Sequence, residues 1–295
     1  MKKIKIVYFG TPEFSAHILD QLLHIGSVTI KAVITRADKP VGRKQTINQS
    51  PVANIAEKYH IPTLKPKKLD EDFITSNSSL LTSDLFIVAS YGKIIPQSLL
   101  DIPTLGSLNV HGSILPKYRG ASPIQSAILN GDKKTGITIM LMDAEMDHGS
   151  ILTTSEVIIS QQETYETLST KMAQAASMLL LDTLAKFIIG KVKPKKQNEV
   201  RASYCYLLKK DAGYFDINNP PTPEVLDKMI RAYYPWPGVW TKWSPSRHPD
   251  PALLEKDLKI IKFLPGNLIQ IEGKKAMSKK DFLNGYPNFP IRLNL

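Results

Sequence analysis

Short apolar runs alternate with stretches of helical periodicity along the first half of the chain. The runs are rich in Ile, Val, Leu and aromatic residues and predict strands over 4–9, 29–35, 84–91, 106–110 and 136–142. Apolar residues spaced three and four apart predict helices over 12–25, 50–59 and 123–129. Such alternation is typical of a parallel sheet covered on both faces, so we predict an α/β fold. Thr11 is expected to cap the first helix.

The pattern changes at about residue 190. Helical spacing over 163–189 predicts one long helix or two short ones that close the first domain, residues 1–190. Residues 191–204 are basic, contain Pro194 and have no hydrophobic period, so we predict a linker there. Beyond the linker, the pattern predicts one helix and three short strands over 223–233, 239–243, 258–264 and 268–271. We therefore expect a small β-barrel with one helix over 205–295.

Composition bounds the class of protein. The 295 residues are 42% hydrophobic and 22% charged, which excludes a disordered or collagen-like chain. Cys205 is the only cysteine, so the chain can form neither an intrachain disulfide nor a zinc site of two or more thiolates. We see no secretion signal and no run of 18 apolar residues. We therefore expect a cytoplasmic protein without a membrane span.

Positive charge is concentrated in the last third of the chain. Residues 1–190 carry 19 basic and 17 acidic side chains, whereas residues 191–295 carry 19 basic and 10 acidic ones, a net charge of +9. Such a field can attract a polyanion, because each Lys or Arg near a phosphate releases a counterion. A lysine-rich surface that only keeps the protein soluble has the same composition. The charge alone leaves both interpretations open.

Several common chemistries lack their motifs in this sequence. The first strand ends at Gly10 without a Gly-x-Gly-x-x-Gly turn, and no Walker A sequence occurs. The six histidines show no metal-ligand spacing. We therefore expect no dinucleotide pyrophosphate at the first turn, no nucleotide hydrolysis and no metal.

Three polar residues form the candidate catalytic group. Asn109 and His111 are two residues apart on a predicted strand, so their side chains point to the same side. Asp147 follows a later strand, and a parallel crossover could bring it beside His111. Acyl transfer needs a donor for the developing oxyanion and a group that moves a proton, which Asn109 and His111 could supply with Asp147 orienting the imidazole. The spacing also fits an Asn and a His that satisfy loop backbone groups, with Asp147 in a turn.

The string NVHGSILPKYRGASPI, residues 109–124, closely resembles the signature of the formyltetrahydrofolate-dependent formyltransferases. Other segments agree with this family in order along the chain. They are YFGTPEF at 8–14, KPVGR at 39–43, SPV at 50–52, SYGKIIP at 90–96, ILNGDKKTGITIM at 128–140, MDHG at 146–149 and IRAYYPWPGVWT at 230–241. The sequence is thereby identified as a member of the family, with most similarity to the branch that acts on initiator methionyl-tRNA.

The resemblance implies a fold, a reaction and two substrates. It implies a Rossmann-like, mostly parallel sheet with helices on both faces, followed by an OB-like barrel that binds tRNA. It implies that the formyl group of 10-formyltetrahydrofolate moves to the α-amino group of methionine on initiator tRNA. We expect a monomer that needs no metal and no protein partner.

The resemblance also assigns site residues by position. The matched catalytic residues are Asn109, His111 and Asp147. The folate-contacting loop corresponds to Ser113, Ile114, Leu115 and Pro116. The loop that enters the tRNA acceptor stem corresponds to Lys39, Arg43 and Lys44.

Departures from the family pattern leave alternatives open. Family members usually carry Thr where His148 stands, and the acceptor-stem loop has fewer lysines than in many relatives. A catalytically decayed tRNA-binding protein is therefore one alternative. Another is an enzyme that formylates an amino sugar or purine precursor, or that hydrolyses formyltetrahydrofolate. The intact trio argues against the first alternative, and the basic second domain argues against the other.

Overall fold

The computed structural model describes residues 3–41, 46–245 and 257–290. The chain divides into two compact units. The first unit comprises the chain up to Pro123 with Lys134–Ile158 and Ser169–Cys205. The second unit comprises Ile124–Lys133, Ile159–Leu168 and the chain from Tyr206 onward.

The described strands fall into one large and three small sheets. In chain order they are β1 (Ile4–Gly10), β2 (Val28–Ile34), β3 (Lys39–Val41), β4 (Thr46–Asn48), β5 (Thr63–Leu64), β6 (Leu85–Ala89), β7 (Ser107–His111), β8 (Arg119–Gly120), β9 (Lys134–Leu141), β10 (Ile151–Ile158), β11 (Tyr204–Cys205), β12 (Val239–Trp243), β13 (Lys259–Leu264), β14 (Leu268–Ile271) and β15 (Met277–Ser278).

The described helices confirm those predicted and add several short ones. In chain order they are α1 (Glu13–Leu23), α2 (Pro51–Lys58), α3 (Glu71–Ser76), α4 (Ser78–Leu81), α5 (Gln97–Leu100), α6 (Pro123–Leu129), α7 (Tyr165–Ile188), α8 (Pro223–Tyr233) and α9 (Lys279–Gly285). Short 3-10 turns cover Glu199–Arg201 and Lys210–Gly213.

A seven-stranded sheet forms the centre of the first unit, in the order β10-β9-β7-β6-β1-β2-β5. The strands from β7 to β5 are parallel, which confirms the predicted α/β class with a mainly parallel sheet. Strand β9 runs antiparallel to β7, and β10 runs antiparallel to β9. The predicted parallel crossover from His111 toward Asp147 is therefore wrong. A buried strand has the same apolar pattern in either direction, so periodicity could not reveal its orientation.

Helices cover both faces of this sheet. Val7 and Phe9 of β1 pack in a core that includes Leu81 of α4 and Leu99 and Leu100 of α5. On the opposite face, the Tyr8 hydroxyl donates to the carbonyl of Ser15 in α1 at 2.7 Å. Successive residues of β1 thus supply two apolar layers, as a doubly covered strand requires.

The start of α1 differs from the prediction. The Thr11 hydroxyl donates to the carbonyl of Tyr91 at 3.1 Å, and Pro12 occupies the N-cap position without a side-chain hydrogen bond. The Thr11 cap is therefore wrong. Ser50 does cap α2, because its Oγ accepts from the Ala53 N–H at 3.1 Å.

The segment predicted as a linker lies within the first unit. Lys195 and Ile151 exchange two backbone hydrogen bonds of 2.8 Å each. Further along, the Ser203 carbonyl accepts from the Arg119 N–H at 2.8 Å, and β11 pairs with β8 in parallel. Residues 195–205 are therefore bonded along the first unit rather than free of it.

The second unit contains a four-stranded antiparallel sheet in the order β12-β13-β14-β15. Thr222 caps α8 through the Val225 N–H, and Ser278 caps α9 through the Asp281 N–H. An aromatic cluster forms the core beside the sheet, with ring centroids 5.0 to 6.4 Å apart. Its members are Trp243, Phe263, Phe282, Tyr286 and Phe289.

The described residues contain neither a membrane-spanning helix nor a cluster of metal ligands. No helix there is long and apolar enough to cross a membrane. In the same ranges, no group of three or more His, Cys, Asp or Glu side chains is arranged to hold a metal ion.

Candidate active site

Strand β7 carries the first two members of the predicted trio. Asn109 pairs with Val88 of β6 and Met140 of β9, and His111 lies opposite Thr138 of β9. Their side chains point to the same side of the sheet because they are two residues apart. Both side chains are buried, with Asn109 9% and His111 5% exposed.

Asp147 reaches this pair from the loop between β9 and β10. Its Oδ1 accepts a hydrogen bond from Asn109 Nδ2 at 2.9 Å, and its Oδ2 accepts from the Gly120 N–H at 2.8 Å. The same Oδ2 lies 3.5 Å from His111 Nδ1. The structure therefore brings Asn109, His111 and Asp147 together, although by a different chain path from the one predicted.

The hydrogen bonds define the tautomer of His111. Its Nε2 lies 2.9 Å from the carbonyl oxygen of Tyr118, which can only accept, so Nε2 carries a proton. The other ring nitrogen, Nδ1, faces the Asp147 carboxylate. A separation of 3.5 Å is long for a hydrogen bond but close enough for a carboxylate to stabilise an imidazolium.

Gly120 brings a backbone donor to Asp147 because it lacks a side chain. Its φ is +117°, in the region that favours glycine. A Cβ at this position would lie 2.0 Å from the carbonyl oxygen of Cys205. The close pairing of β8 with β11 therefore requires glycine here.

The loop predicted to contact folate follows β7 directly and is bonded to β9. Thr138 Oγ1 donates to the Ser113 carbonyl at 2.7 Å and accepts from the Leu115 N–H at 3.0 Å. Ser113 and Leu115 are buried, and the Ser113 hydroxyl donates to the Lys117 carbonyl. Ile114 and Pro116 are partly exposed, so they are the members that can meet a ligand directly.

The structure describes only one of the three residues predicted to contact tRNA. Lys39 begins β3 and pairs with Asn48 of β4. Arg43 and Lys44 lie outside the described residues.

Two residues that sequence reasoning missed connect to the trio. Arg119, 1% exposed, donates two hydrogen bonds to Gln197 Oε1. Gln197 Nε2 donates to the carbonyls of Asp147 and Gly149 at 2.8 Å each. Arg119 falls inside the string that resembles the family signature, but nothing in the sequence around Gln197 distinguishes it from a linker residue.

His148, next to Asp147, has carboxylate neighbours. Its Nδ1 lies 2.7 Å from Asp143 Oδ2, and its Nε2 lies 3.6 Å from Glu199 Oε1. The hydrogen bond to Asp143 raises the pKa of His148, and the charges of Asp143, Glu145 and Glu199 act in the same direction. His148 thus ties the Asp147 loop to the segment after α7 when it is protonated.

Residues 2–184 match the family model described as formyl transferase. The match covers more than half of the chain, and the protein belongs to the formyl transferase family. Among curated proteins it is similar over nearly its full length to the methionyl-tRNA formyltransferase of Geobacillus sp. (strain WCH70). The two are 39% identical over 96% of this chain and 94% of the relative.

Solved structures share the fold at lower identity. A sugar N-formyltransferase from Shewanella sp. is 21% identical with a TM-score of 0.63, over 81% of this chain and 92% of that chain. An N-formyltransferase from Helicobacter canadensis, in complex with folinic acid and dTDP-3-aminofucose, is 23% identical with a TM-score of 0.55. That likeness covers 79% of this chain and 80% of the other.

Proposed function

We propose that this enzyme transfers the formyl group of 10-formyltetrahydrofolate to the α-amino group of methionine on initiator tRNA. The observation that carries the proposal is the convergence of Asn109, His111 and Asp147 in a chain of this family. Similarity to methionyl-tRNA formyltransferases over nearly the whole chain supports the tRNA substrate.

Asn109 is the proposed oxyanion donor. A carboxamide has two N–H groups, and the bond to Asp147 uses one of them. The other N–H is available to the formyl oxygen as negative charge develops at the tetrahedral stage. Such a donor stabilises the transition state by about 3 to 4 kcal/mol.

His111 is the proposed proton carrier. As the methionyl amine attacks the formyl carbon, Nδ1 accepts the proton that the amine loses, and Asp147 stabilises the imidazolium. Nδ1 then returns the proton to the folate nitrogen when the bond to the formyl carbon breaks. The products are formylmethionyl-tRNA and tetrahydrofolate, and His111 is again neutral.

The loop 113–116 is the proposed folate contact. It directly follows the catalytic strand and is held to Thr138, so it is rigid next to His111. Ile114 and Pro116 supply partly exposed apolar surface, which suits a pterin ring.

The second domain is the proposed tRNA-binding part, with an OB-like fold. Its four-stranded antiparallel sheet and the net charge of +9 over residues 191–295 support this assignment. Lys39, Arg43 and Lys44 are the proposed acceptor-stem contacts. We assign residues 1–190 to catalysis, 191–204 to the connection and 205–295 to the second domain, in a cytoplasmic monomer.

The test offers the purified protein 10-formyltetrahydrofolate with one of three acceptors: methionyl-tRNA, free methionine or an amino sugar nucleotide. We expect N-formylation of methionyl-tRNA alone. Formylation of the amino sugar nucleotide, or release of formate without transfer, would replace this proposal with one of the alternative activities.

A further inference from the structure

One side chain holds the main chain on both sides of His148 in the Asp147 loop. Gln197 Nε2 donates to the carbonyls of Asp147 and Gly149, at 2.8 Å each. Its Oε1 accepts from Nε and Nη2 of Arg119, at 3.1 and 2.9 Å. A flipped amide would place N–H against N–H and oxygen against oxygen, so this orientation is fixed by its neighbours.

Arg119 is itself held by a charged partner. Its Nη2 and Nη1 donate to the two carboxylate oxygens of Glu199 at 2.7 and 2.8 Å. This pairing raises the pKa of Arg119 and lowers the pKa of Glu199, so both stay ionised at neutral pH. A bidentate pair of this kind fixes the guanidinium plane, which in turn fixes the Gln197 amide.

Asp147 has an uncommon backbone conformation, and different residues hold its peptide and its carboxylate. Its φ is +50°, in the left-handed region that L residues other than Asn and Asp rarely adopt. Asn109 and Gly120 hold only the carboxylate. Gln197 holds the peptide that carries this carboxylate, and so determines where Oδ2 stands relative to His111 Nδ1.

We propose that Gln197 is a positioning residue for formyl transfer, which acts through Asp147 without touching substrate. The role rests on the proposed function, because it presumes that the Asp147 carboxylate serves the reaction. Loss of Gln197 frees the two carbonyls, and the peptide relaxes so that the carboxylate turns away from Nδ1.

Three single variants of the full chain test the proposal. Gln197→Ala removes both donors and the acceptor. Gln197→Glu keeps oxygens for Arg119 but presents no donor to the carbonyls of Asp147 and Gly149 at neutral pH. Gln161→Ala makes the same truncation at an exposed glutamine of the second unit, whereas the Asp147 loop belongs to the first unit.

We expect both Gln197 variants to lower kcat about 10- to 100-fold, because small displacements of catalytic groups have effects of that size. KM for methionyl-tRNA should change little, and Gln161→Ala should match the wild type. If Gln197 serves only to anchor Arg119, Gln197→Glu will restore kcat, and the proposal is overturned. A kcat within twofold of wild type in Gln197→Ala would overturn it as well.

Hydrogen exchange supplies a readout that does not depend on activity. Both Gln197 variants should exchange faster than wild type in peptides that cover residues 143–150, with other peptides unchanged. Unchanged exchange in this loop would contradict the proposal. If the wild-type enzyme does not formylate methionyl-tRNA, the proposed function fails, and the exchange data still decide whether Gln197 holds the loop.

Discussion

The proposed proton transfer depends on which ring nitrogen of His111 is available. In the proposed mechanism the proton is exchanged at Nδ1, because Nε2 is bonded to the Tyr118 carbonyl. The Asp147 carboxylate faces Nδ1, and it also accepts hydrogen bonds from Asn109 Nδ2 and the Gly120 N–H. In the proposed mechanism, positive charge therefore appears on the imidazole beside a carboxylate that is already in place.

His148 should make stability depend on pH. Its pKa is raised in the folded protein by Asp143, so protonated His148 stabilises the fold. This contribution is fully present below the unfolded pKa of about 6.5 and is lost as pH rises through the higher folded value. We expect wild type to lose stability relative to His148→Thr as pH rises from 6 to 9.

Urea unfolding of wild type and His148→Thr between pH 6 and 9 measures the difference in their free energies of unfolding. The side chain is 36% exposed, so the effect should be below about 1 kcal/mol. If the stability of wild type relative to His148→Thr rises with pH, or stays constant, Asp143 and Glu199 do not stabilise charged His148.

At the residue scale, the sequence identified the trio but not its supports. Asn109 and His111 could be placed on one face because the side-chain period of a strand is fixed. The predicted position of Asp147 beside His111 followed from a crossover that does not exist, although the structure does place the two side chains together. Gln197 could not be found, because the two carbonyls that it binds in the Asp147 loop are backbone groups without a sequence signature, and Arg119 lies 78 positions away.

At the scale of elements, the site depends on the pairing of β8 with β11. Gly120→Ala places a methyl group against the Cys205 carbonyl and a side chain at positive φ. We expect a loss of about 1 to 3 kcal/mol in the free energy of unfolding, together with lower kcat, because the Gly120 N–H bond to Asp147 is disturbed.

Gly190→Ala is the matched control for this prediction. Gly190 also has positive φ, +69°, but a Cβ there meets no atom within 4 Å. In Gly190→Ala the free energy of unfolding should fall only by the cost of placing alanine at positive φ, and kcat should match that of wild type. Equal losses in both variants would mean that the close contact with Cys205 has no role.

Elements with long apolar runs were predicted within a few residues, and others were missed for physical reasons. Strand β10 has polar residues such as Thr153 and Ser155 because it is the last strand of the described sheet order and has one strand neighbour. Strands β3, β4 and β5 are two or three residues long, too short for any periodicity. The orientation of β9 could be learned only from its pairing with β7 in the structure.

At the scale of the whole molecule, uneven charge should govern tRNA affinity. Residues 191–295 carry a net charge of +9. We expect the affinity for tRNA to fall by more than about tenfold between 50 and 200 mM salt, since released counterions drive binding. Filter binding across this range measures the slope.

Two exposed lysines in the second unit, Lys275 and Lys280, test where the phosphates bind. Changing each to Glu should weaken binding and flatten the salt dependence. Lys68→Glu makes the same change of charge at an exposed position of the first unit and should have a smaller effect. A salt-independent affinity, or equal effects of all three changes, would place the interface elsewhere.

The division of the chain was only partly visible in its composition. The basic charge and Pro194 mark a change of composition after residue 190, whereas the first unit extends to Cys205. Residues Ile124–Lys133 and Ile159–Leu168 nevertheless belong to the second unit. Tertiary contacts decide this membership, and no local pattern marks them.

The most direct measurement is the single-turnover rate of formyl transfer to methionyl-tRNA. It is made on the His111→Ala and Asp147→Asn enzymes at saturating substrate concentrations. Because the roles proposed for both residues concern the transferred proton and not the tRNA phosphates, the rate should fall by at least about 100-fold in each variant. The dissociation constant for tRNA should stay close to that of wild type. A near wild-type rate in either variant, or a loss fully explained by weaker tRNA binding, would contradict the assignment of catalysis to this site.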